Sequence, residues 1–337
     1  MTLSLRPTLA IACMLVAATA AHAIAAEPTM RAARISAYGG PELLKVEEVP
    51  RPTVGLSDVL VRVHAAGVNP VDWKIQQGML AGFAPKPPAT LGQDVSGIVE
   101  AVGDKVAGFK VGDEVFAYLS LQRGGAFAEY ASIPESELAL KPKSLDHMQA
   151  AAVPLAALTA WQALIDTAKL QPGQTVLIHA GAGGVGHFAV QIAKAQGAKV
   201  IATASETNQS FLKELGADIA IDYKAAKFED IAKDVDIVLD PIGGDTLERS
   251  YQVLKPGGFL VSIVGPPDQA KLQARGATGA GILVKPSGKQ LAELAAFIDT
   301  GKVKPHVSAT FPLADIAKAF EQSQTGRTRG KIVLTVK

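Results

Sequence analysis

The sequence contains one cysteine, Cys13, among its 337 residues. Neither sign of charge is in excess, because Lys plus Arg number 33 and Asp plus Glu number 32. The composition therefore gives no indication of a nucleic-acid partner or of an acidic surface as ligand. Charged residues make up 19% and apolar residues 48% of the chain, the balance of an ordinary globular protein. We expect the partner to be a small molecule or another copy of the same chain.

Residues 1–26 have the features of an export signal. Arg6 is their only charged residue, an apolar run covers 9–21, and Ala21-His22-Ala23 provides the small residues at which signal peptidase cleaves. This order predicts a Sec signal peptide and a periplasmic or secreted mature protein without cysteine. The run is too short and too rich in alanine for a membrane span of ~20 residues. Alternatively, translation starts at Met30 and the protein is cytoplasmic.

The next hundred or so residues, from Met30 to about Ser136, consist of short apolar runs broken by Gly, Pro and Asp. Regularly spaced short strands joined by tight turns are typical of a small, irregular β-barrel. The predicted strands here include 59–63, 98–102, 111–116 and 127–131.

The pattern changes at Asp146, where helical periodicity begins and strands then alternate with helices. This alternation predicts a parallel sheet covered by helices on both faces, and so an α/β fold. A last strand, 330–336, has no neighbour in the pattern and is predicted to return to the barrel. The predicted strands of the parallel sheet are 175–179, 199–203, 219–221, 235–239, 258–264 and 282–284.

A glycine-rich loop follows the first of these strands and opens a helix. Gly181, Gly183 and Gly186 form the pattern G-x-G-x-x-G, with Ala182, Gly184 and Val185 between them. In this setting the first glycine permits a tight turn, the second lets the backbone approach a pyrophosphate, and the third allows close packing of helix on sheet. The helix N-terminus adds free N–H groups and partial positive charge. The loop is therefore predicted to bind a dinucleotide.

The end of the second strand bears on the choice of coenzyme. NAD enzymes usually place Asp or Glu there to hold the ribose hydroxyls, whereas this chain reads Ala202-Thr-Ala-Ser205. The missing carboxylate removes repulsion against a 2′-phosphate, and Ser205 is able to donate to it. Glu206 follows directly, however, and no Lys or Arg lies between Thr203 and Leu212. The residues favour NADPH over NADH.

These motifs together resemble the zinc-free, zeta-crystallin-like quinone oxidoreductases of the medium-chain dehydrogenase/reductase superfamily. The likeness covers almost all of 30–337, and the glycine loop is joined in it by Gly173-Gln-x-x-Leu177, Gln191 and Lys194. Further matching segments are Tyr38-Gly-Gly-Pro-Glu42, Val68-Asn-Pro-Val-Asp-Trp73, Gly92-x-Asp-x-x-Gly97, Leu158-Thr-Ala-Trp161, Leu215-Gly-Ala-Asp218, Ile221-Asp-Tyr223 and Gly330-Lys-Ile-Val333.

The resemblance implies a GroES-like β-barrel catalytic domain and a Rossmann domain with a doubly wound parallel sheet. We place the first at 27–155, completed by 302–337, and the second at 156–301. It also implies NADPH as coenzyme and a homodimer or homotetramer.

The resemblance assigns site residues as well. Asn69 would lie near the nicotinamide and the substrate, as a hydrogen-bond donor to a carbonyl, unless Asn-Pro only begins a turn. The predicted coenzyme-binding residues outside the glycine loop are Thr159, Val264 and Gly265 near the nicotinamide, Ser205 and Tyr223 near the adenosine phosphate, and Lys331 near a phosphate. The lysine that relatives often carry at the position of Asn208 is absent.

No metal site is predicted. The zinc-dependent relatives use thiolate and imidazole ligands, but Gln93-Asp94 stands where they carry His-Glu, and the histidines show no ligand spacing. Without a Lewis acid, alcohol oxidation is disfavoured, whereas a quinone or an α,β-unsaturated carbonyl compound delocalises the charge that hydride addition creates. We therefore predict metal-free hydride transfer from NADPH to quinones or enones. The alternatives are a metal-free enoyl-thioester reductase and a non-catalytic NADPH-binding protein.

The location of the protein can be tested on its mature N-terminus. If residues 1–26 are a signal peptide, N-terminal sequencing of the protein from the periplasmic or secreted fraction should begin at Ile24 or Glu27, after one of the two alanine-rich cleavage sites. A protein that begins at Met30 and stays in the cytoplasmic fraction would contradict this prediction.

Overall fold

A computed structural model describes residues 28–336, so the predicted signal peptide lies outside the described residues. Two β-sheet systems and ten α-helices make up this part of the chain. None of these helices within 28–336 has the length and apolar character needed to cross a membrane. The α-helices are α1 (Pro70–Gln76), α2 (His147–Ala151), α3 (Pro154–Trp161), α4 (Gly186–Ala195), α5 (Gln209–Glu214), α6 (Phe228–Ile231), α7 (Gly244–Ser250), α8 (Gln269–Ala274), α9 (Gly288–Asp299) and α10 (Ile316–Gln324).

The N-terminal residues form mainly antiparallel sheets that also include the C-terminal strands. The strands concerned are β1 (Thr29–Ile35), β2 (Leu44–Pro50), β3 (Asp58–Val68), β4 (Ala89–Thr90), β5 (Asp94–Val102), β6 (Glu114–Tyr118), β7 (Tyr130–Pro134), β8 (Leu138–Leu140), β15 (Val307–Pro312) and β16 (Lys331–Thr335). One sheet has the order β15-β16-β3-β5-β6-β8, with β7 also paired to β3, and a smaller one has the order β2-β1-β4.

Strand β3 is at the centre of the larger sheet. Its alternating valines Val59, Val61 and Val63 are buried, as expected for a strand with one face on the core. The last strand, β16, pairs antiparallel with β3, with Ile332 opposite Val68. This pairing confirms the predicted return of the C-terminal strand, whereas the exact domain boundaries stay a prediction.

The second system is a parallel six-stranded sheet with the order β11-β10-β9-β12-β13-β14. Its strands are β9 (Thr175–Ile178), β10 (Lys199–Ala204), β11 (Ile219–Asp222), β12 (Val235–Asp240), β13 (Leu254–Ser262) and β14 (Thr278–Gly281). The strand order reverses direction at β9 and β12, so the carboxyl ends of these two strands mark the crevice in which such sheets bind ligands. The α/β fold class is confirmed.

The sixth strand of this sheet was predicted wrongly. The apolar segment 282–284 has no regular structure, Leu283 is exposed, and the strand is formed by 278–281 instead. The reason is close packing at Gly279, where a Cβ atom would lie 2.6 Å from the Leu260 carbonyl oxygen. The glycine-rich segment therefore fits beside β13 in a way that a branched residue at this point would not.

Two barrel strands are also displaced from their predicted positions. Strand β6 begins at Glu114 rather than at Val111, which is exposed in the turn before it. Strand β7 covers 130–134 rather than 127–131, and the buried residues Phe127 and Ala128 precede it. Both strands were predicted from apolar residues, but apolar character alone does not define the residue at which strand pairing starts.

Candidate functional site

The glycine loop joins β9 to α4 with little space at two of its glycines. A Cβ atom on Gly186 would lie 2.1 Å from the Ala180 carbonyl oxygen, and one on Gly181 would lie 2.9 Å from Ala202 Cβ. At Gly183, by contrast, the only neighbour of such an atom within 4 Å is the Ala180 oxygen, at 3.2 Å. Gly181 and Gly186 thus serve packing, whereas Gly183 leaves the backbone open to a ligand.

Helix α4 begins beside this open backbone. The N-cap residue Val185, just before the helix, provides no side-chain cap, so N–H groups at the helix start remain for an anion, and the helix dipole adds positive potential there. The loop and the helix start fit the pyrophosphate of a dinucleotide. The assignment of individual loop residues to the coenzyme stays a prediction.

Two histidines flank the loop, and both serve structure. The ring of His179 hydrogen-bonds the hydroxyls of Thr203 and Ser250, and Nδ1 of His187 hydrogen-bonds the Gly183 carbonyl oxygen. Burial lowers the pKa of His179 to about 3 and that of His187 to about 4, so both are neutral near pH 7. Both histidines therefore serve packing and hydrogen bonding around the loop.

The predicted adenosine end lies at the carboxyl ends of β10 and β11. Ser205 follows β10, and its hydroxyl accepts a hydrogen bond from Asn208 Nδ2 at 3.1 Å. Tyr223 follows β11 with half of its surface exposed, and its N–H donates to the Ala204 carbonyl oxygen. The structure therefore brings Ser205 and Tyr223 to one end of the sheet.

Arg329 is the residue that the sequence reasoning missed at this end. Its Nε donates to Asn208 Oδ1 at 2.6 Å, and its Nη2 donates to the Thr207 carbonyl oxygen at 2.9 Å. The segment from Thr203 to Leu212 carries no Lys or Arg, and the cation comes instead from the segment before β16. The only indication in the sequence was the predicted return of β16 to the barrel, which brings the residues before it near the parallel sheet.

At the other end of the site, Asn69 caps α1. The Asn-Pro sequence begins a helix, not merely a turn, and the Asn69 N–H donates to Asp72 Oδ2 at 2.7 Å. An N-cap Asn normally uses its side-chain oxygen to accept a helix N–H. Asn69 and Asp72 form a capping box here, and the Asn69 carboxamide also reaches Asp94 on β5 and Lys331 on β16.

The Asn69 carboxamide belongs to a buried polar network. Its Nδ2 donates to Asp94 Oδ2 at 2.9 Å, and its Oδ1 accepts from Lys331 Nζ. Lys331 Nζ also lies 3.3 Å from Asp94 Oδ2, and the two charged side chains are 2% and 0% exposed. The other Asp94 oxygen accepts from the Leu155 N–H at 2.7 Å, at the start of α3. One carboxylate thus connects α1, β16 and α3.

Burial shifts the acid groups of this network. It raises the pKa of Asp94, and the Lys331 ammonium opposes that shift. Burial raises the pKa of Asp72 well above its ordinary value, against the hydrogen bond from Asn69 N–H. The Asp72 Oδ1 atom has no hydrogen-bond partner, as suits a carboxyl group that holds a proton more tightly than a solvated one.

The remaining predicted residues are placed as follows. Thr159 is buried on α3, and its hydroxyl donates to the Leu155 carbonyl oxygen at 2.7 Å. Val264 and Gly265 follow β13, and the Val264 side chain is about half exposed. Lys331 lies under the glycine loop, because a Cβ atom on Gly184 would be 3.6 Å from its Cδ. Its ammonium is directed to Asn69 and Asp94; the predicted phosphate contact stays a prediction.

Asp240 has a structural role at the end of β12. It ends β12, and its carboxylate accepts the N–H groups of Ile242 and Gly243 at 3.0 to 3.1 Å. The turn after β12 is thereby capped.

Comparison with known proteins agrees with this geometry. Residues 55–143 match the alcohol dehydrogenase GroES-like domain, and residues 215–334 match a family described as zinc-binding dehydrogenase. The NADPH-dependent alkenal/one oxidoreductase of Arabidopsis thaliana is 39% identical over 319 residues, which cover 90% of this chain and 79% of the relative. Quinone oxidoreductase from Mus musculus is 35% identical, covering 90% and 97% of the two chains.

A solved structure is similar as well. The quinone oxidoreductase from Coxiella burnetii superposes with a TM-score of 0.85 at 35% sequence identity, over 92% of this chain and all of the other.

The open space at Gly183 gives a test of dinucleotide binding. Gly183→Ala places a methyl group where the backbone faces the ligand, so we expect the Kd for a nicotinamide dinucleotide to rise at least about tenfold, a loss of about 1.4 kcal/mol, with little change in Tm. Coenzyme fluorescence and thermal unfolding give the two values. Gly82→Ala is the control, since a Cβ atom there has no neighbour within 4 Å. An unchanged Kd in Gly183→Ala would contradict the assignment.

Proposed function

The chain belongs to the zeta-crystallin-like quinone oxidoreductases of the medium-chain dehydrogenase/reductase superfamily, and from that membership we propose that it transfers hydride from NADPH to quinones or α,β-unsaturated carbonyl compounds. The observation that carries the proposal is the position of the Asn69 carboxamide. A single side chain connects it to the glycine loop: Lys331 lies beside Gly184 in the loop, and its ammonium donates to Asn69 Oδ1. A hydrogen-bond donor is thus held beside the dinucleotide site.

The residues around this donor do not fit zinc, although one matched family carries zinc in its description. Zinc is bound by thiolate, imidazole and carboxylate groups. Here the neighbours of Asp94 are the Asn69 carboxamide and the Lys331 ammonium, which occupy its Oδ2 atom. Within 28–336, no group of three or more His, Cys, Asp or Glu side chains is arranged to hold a metal. We propose a reaction that needs no metal.

Bound NADPH would supply the hydride. Addition at the β carbon of an enone, or to a quinone ring, moves an electron pair onto the carbonyl oxygen. The N–H of Asn69 that is not bound to Asp94 is available to donate to this oxygen as its negative charge develops. Solvent water completes the reaction by supplying one proton to the α carbon or to the oxygen. Conjugation spreads the charge, so the protein's task is orientation of the two reactants.

NADPH as the preferred coenzyme is supported by the adenosine end. The last residues of β10 carry no carboxylate, the Ser205 hydroxyl lies there, and the Arg329 guanidinium is fixed by Asn208 and Thr207. A guanidinium and a hydroxyl are the groups that recognise a 2′-phosphate. The exposed Glu206 carboxylate beside them would repel a 2′-phosphate. The Arg329 guanidinium, in contrast to Glu206, is held in place by its hydrogen bonds to Asn208 and Thr207.

Two further parts of the proposal concern the protein outside the site. We propose that residues 1–26 direct export, with initiation at Met30 as the alternative. We also propose a homodimer or homotetramer, which light scattering on the purified protein measures directly.

Turnover by the purified protein tests the proposed reaction. We expect NADPH to be consumed with quinones and enones as acceptors, and saturated alcohols to give no reduction of NADP⁺, because one amide N–H stabilises the localised charge of an alkoxide far less than a zinc ion does. A chelator should leave the rate unchanged. Tight NADPH binding without turnover on any acceptor would overturn the proposal, and a rate restored by added zinc would overturn its metal-free form.

Arg329 allows a test of coenzyme preference. Arg329→Gln removes the charge at the adenosine end, so we expect the Kd for NADPH to rise roughly tenfold to hundredfold, as for loss of a charged hydrogen bond, while the Kd for NADH stays nearly constant. Arg327→Gln, two residues earlier and exposed, is the matched control. An equal loss for both coenzymes would assign Arg329 to the fold rather than to the 2′-phosphate.

A further inference from the structure

We propose that Lys331 is a positioning residue. Together with Asp94 it fixes the Asn69 carboxamide in a single orientation, in which an Nδ2 hydrogen of Asn69 donates to the substrate oxygen. The inference rests on the proposed function, since the oxygen is that of the quinone or enone. It differs from the role that the sequence suggested for Lys331, which was contact with a coenzyme phosphate.

The orientation follows from the partners of the carboxamide. An ammonium group only donates hydrogen bonds and an ionised carboxylate only accepts them. Lys331 therefore faces Oδ1 of Asn69, and Asp94 faces Nδ2. A rotated amide would set Nδ2 against the ammonium and Oδ1 against the carboxylate. Both contacts would be repulsive in a place where Asn69 is 2% exposed and water is scarce, so the amide has a single stable orientation.

The hydrogen-bonding groups of Asn69 that have no partner define how it can bind a substrate. Its Oδ1 atom faces the positive charge of Lys331, and one of the two Nδ2 hydrogens is bound to Asp94. The second Nδ2 hydrogen is the only donor of the side chain that remains. The ammonium also draws electron density from the carboxamide, which strengthens this N–H as a donor. Such a group stabilises an oxygen that gains negative charge better than it stabilises the neutral carbonyl.

The charges beside Asn69 support a role beyond the fold. Asp94 and Lys331 are buried next to its carboxamide, an arrangement with a large desolvation cost that the start of a helix does not require.

The two roles of Lys331 predict different kinetics. A phosphate ligand contributes to coenzyme affinity, so its loss raises the Kd for NADPH. A positioning residue acts through Asn69 on the reacting oxygen, so its loss lowers kcat at saturating coenzyme and leaves the Kd for NADPH in place.

The experiment compares Lys331→Met with wild type for kcat on an enone and for the equilibrium Kd of NADPH. We expect kcat to fall about tenfold to hundredfold with less than about a threefold change in Kd. Because Lys331→Met leaves Asp94 buried without its cation, the charge-balanced variant Lys331→Met/Asp94→Asn is measured with it. Lys199→Met, on an exposed residue at the opposite end of β10, is the matched control.

A double-mutant comparison tests whether Lys331 acts through Asn69. Asn69→Ala should lower kcat, and adding Lys331→Met to it should lower kcat by less than about a further twofold. In the coenzyme-free protein, the Asn69 side-chain amide proton resonances, identified by their loss in Asn69→Ala, should shift in Lys331→Met.

The outcomes separate this inference from the proposed function. Wild type without turnover would overturn the proposed function and this role together. Turnover by wild type with an unchanged kcat in Lys331→Met, or with a tenfold weaker Kd for NADPH and normal kcat, would overturn the positioning role alone. A full additional loss from Lys331→Met in the Asn69→Ala background would also overturn it.

Discussion

The buried ion pair of Asp94 and Lys331 connects the segments that surround the candidate site. Its two charges lie almost without solvent contact, 3.3 Å apart at their nearest atoms. Burying them costs several kcal/mol per ion, a cost offset because both Asp94 oxygens accept hydrogen bonds, from Asn69 and from the Leu155 N–H. The start of α1, the start of α3 and the C-terminal strand are thereby held around one carboxylate.

The predicted coenzyme-binding surface depends on the C-terminal strand as well. Arg329 reaches Thr207 and Asn208 after β10, the Gly330 N–H donates to the Ala182 carbonyl oxygen in the glycine loop, and Lys331 passes under Gly184. Three successive residues thus contact the adenosine end, the loop and the Asn69 network in turn. Gly330 suits this path because its φ of +61° lies in the left-handed region, and because a Cβ atom there would lie 2.2 Å from the His306 carbonyl oxygen.

The sequence predicted those features whose signals are local. The glycine loop was recognisable because a turn, a strand and a helix start must be adjacent in the chain, and five strands of the parallel sheet showed as apolar runs. Strand β14 was misplaced because Gly279 has no apolar side chain, although close packing against Leu260 requires its small size. Arg329 was missed because its partners Thr207 and Asn208 are more than a hundred residues away in sequence. The orientation of Asn69 likewise depends on Lys331, and no spacing rule connects them.

Because residues 329–331 precede and enter β16, a strand of the barrel sheet, the dinucleotide site proposed above is completed from outside the parallel sheet. The two sheets are therefore not interchangeable modules. Consider a chimera in which residues 175–281 come from a relative. Its glycine loop and the end of its β10 would be the relative's, but the arginine and lysine that contact them, Arg329 and Lys331, would be those of the recipient. Recombination within this family would have to carry the C-terminal segment along with the nucleotide-binding sheet to keep the two halves of the coenzyme surface matched.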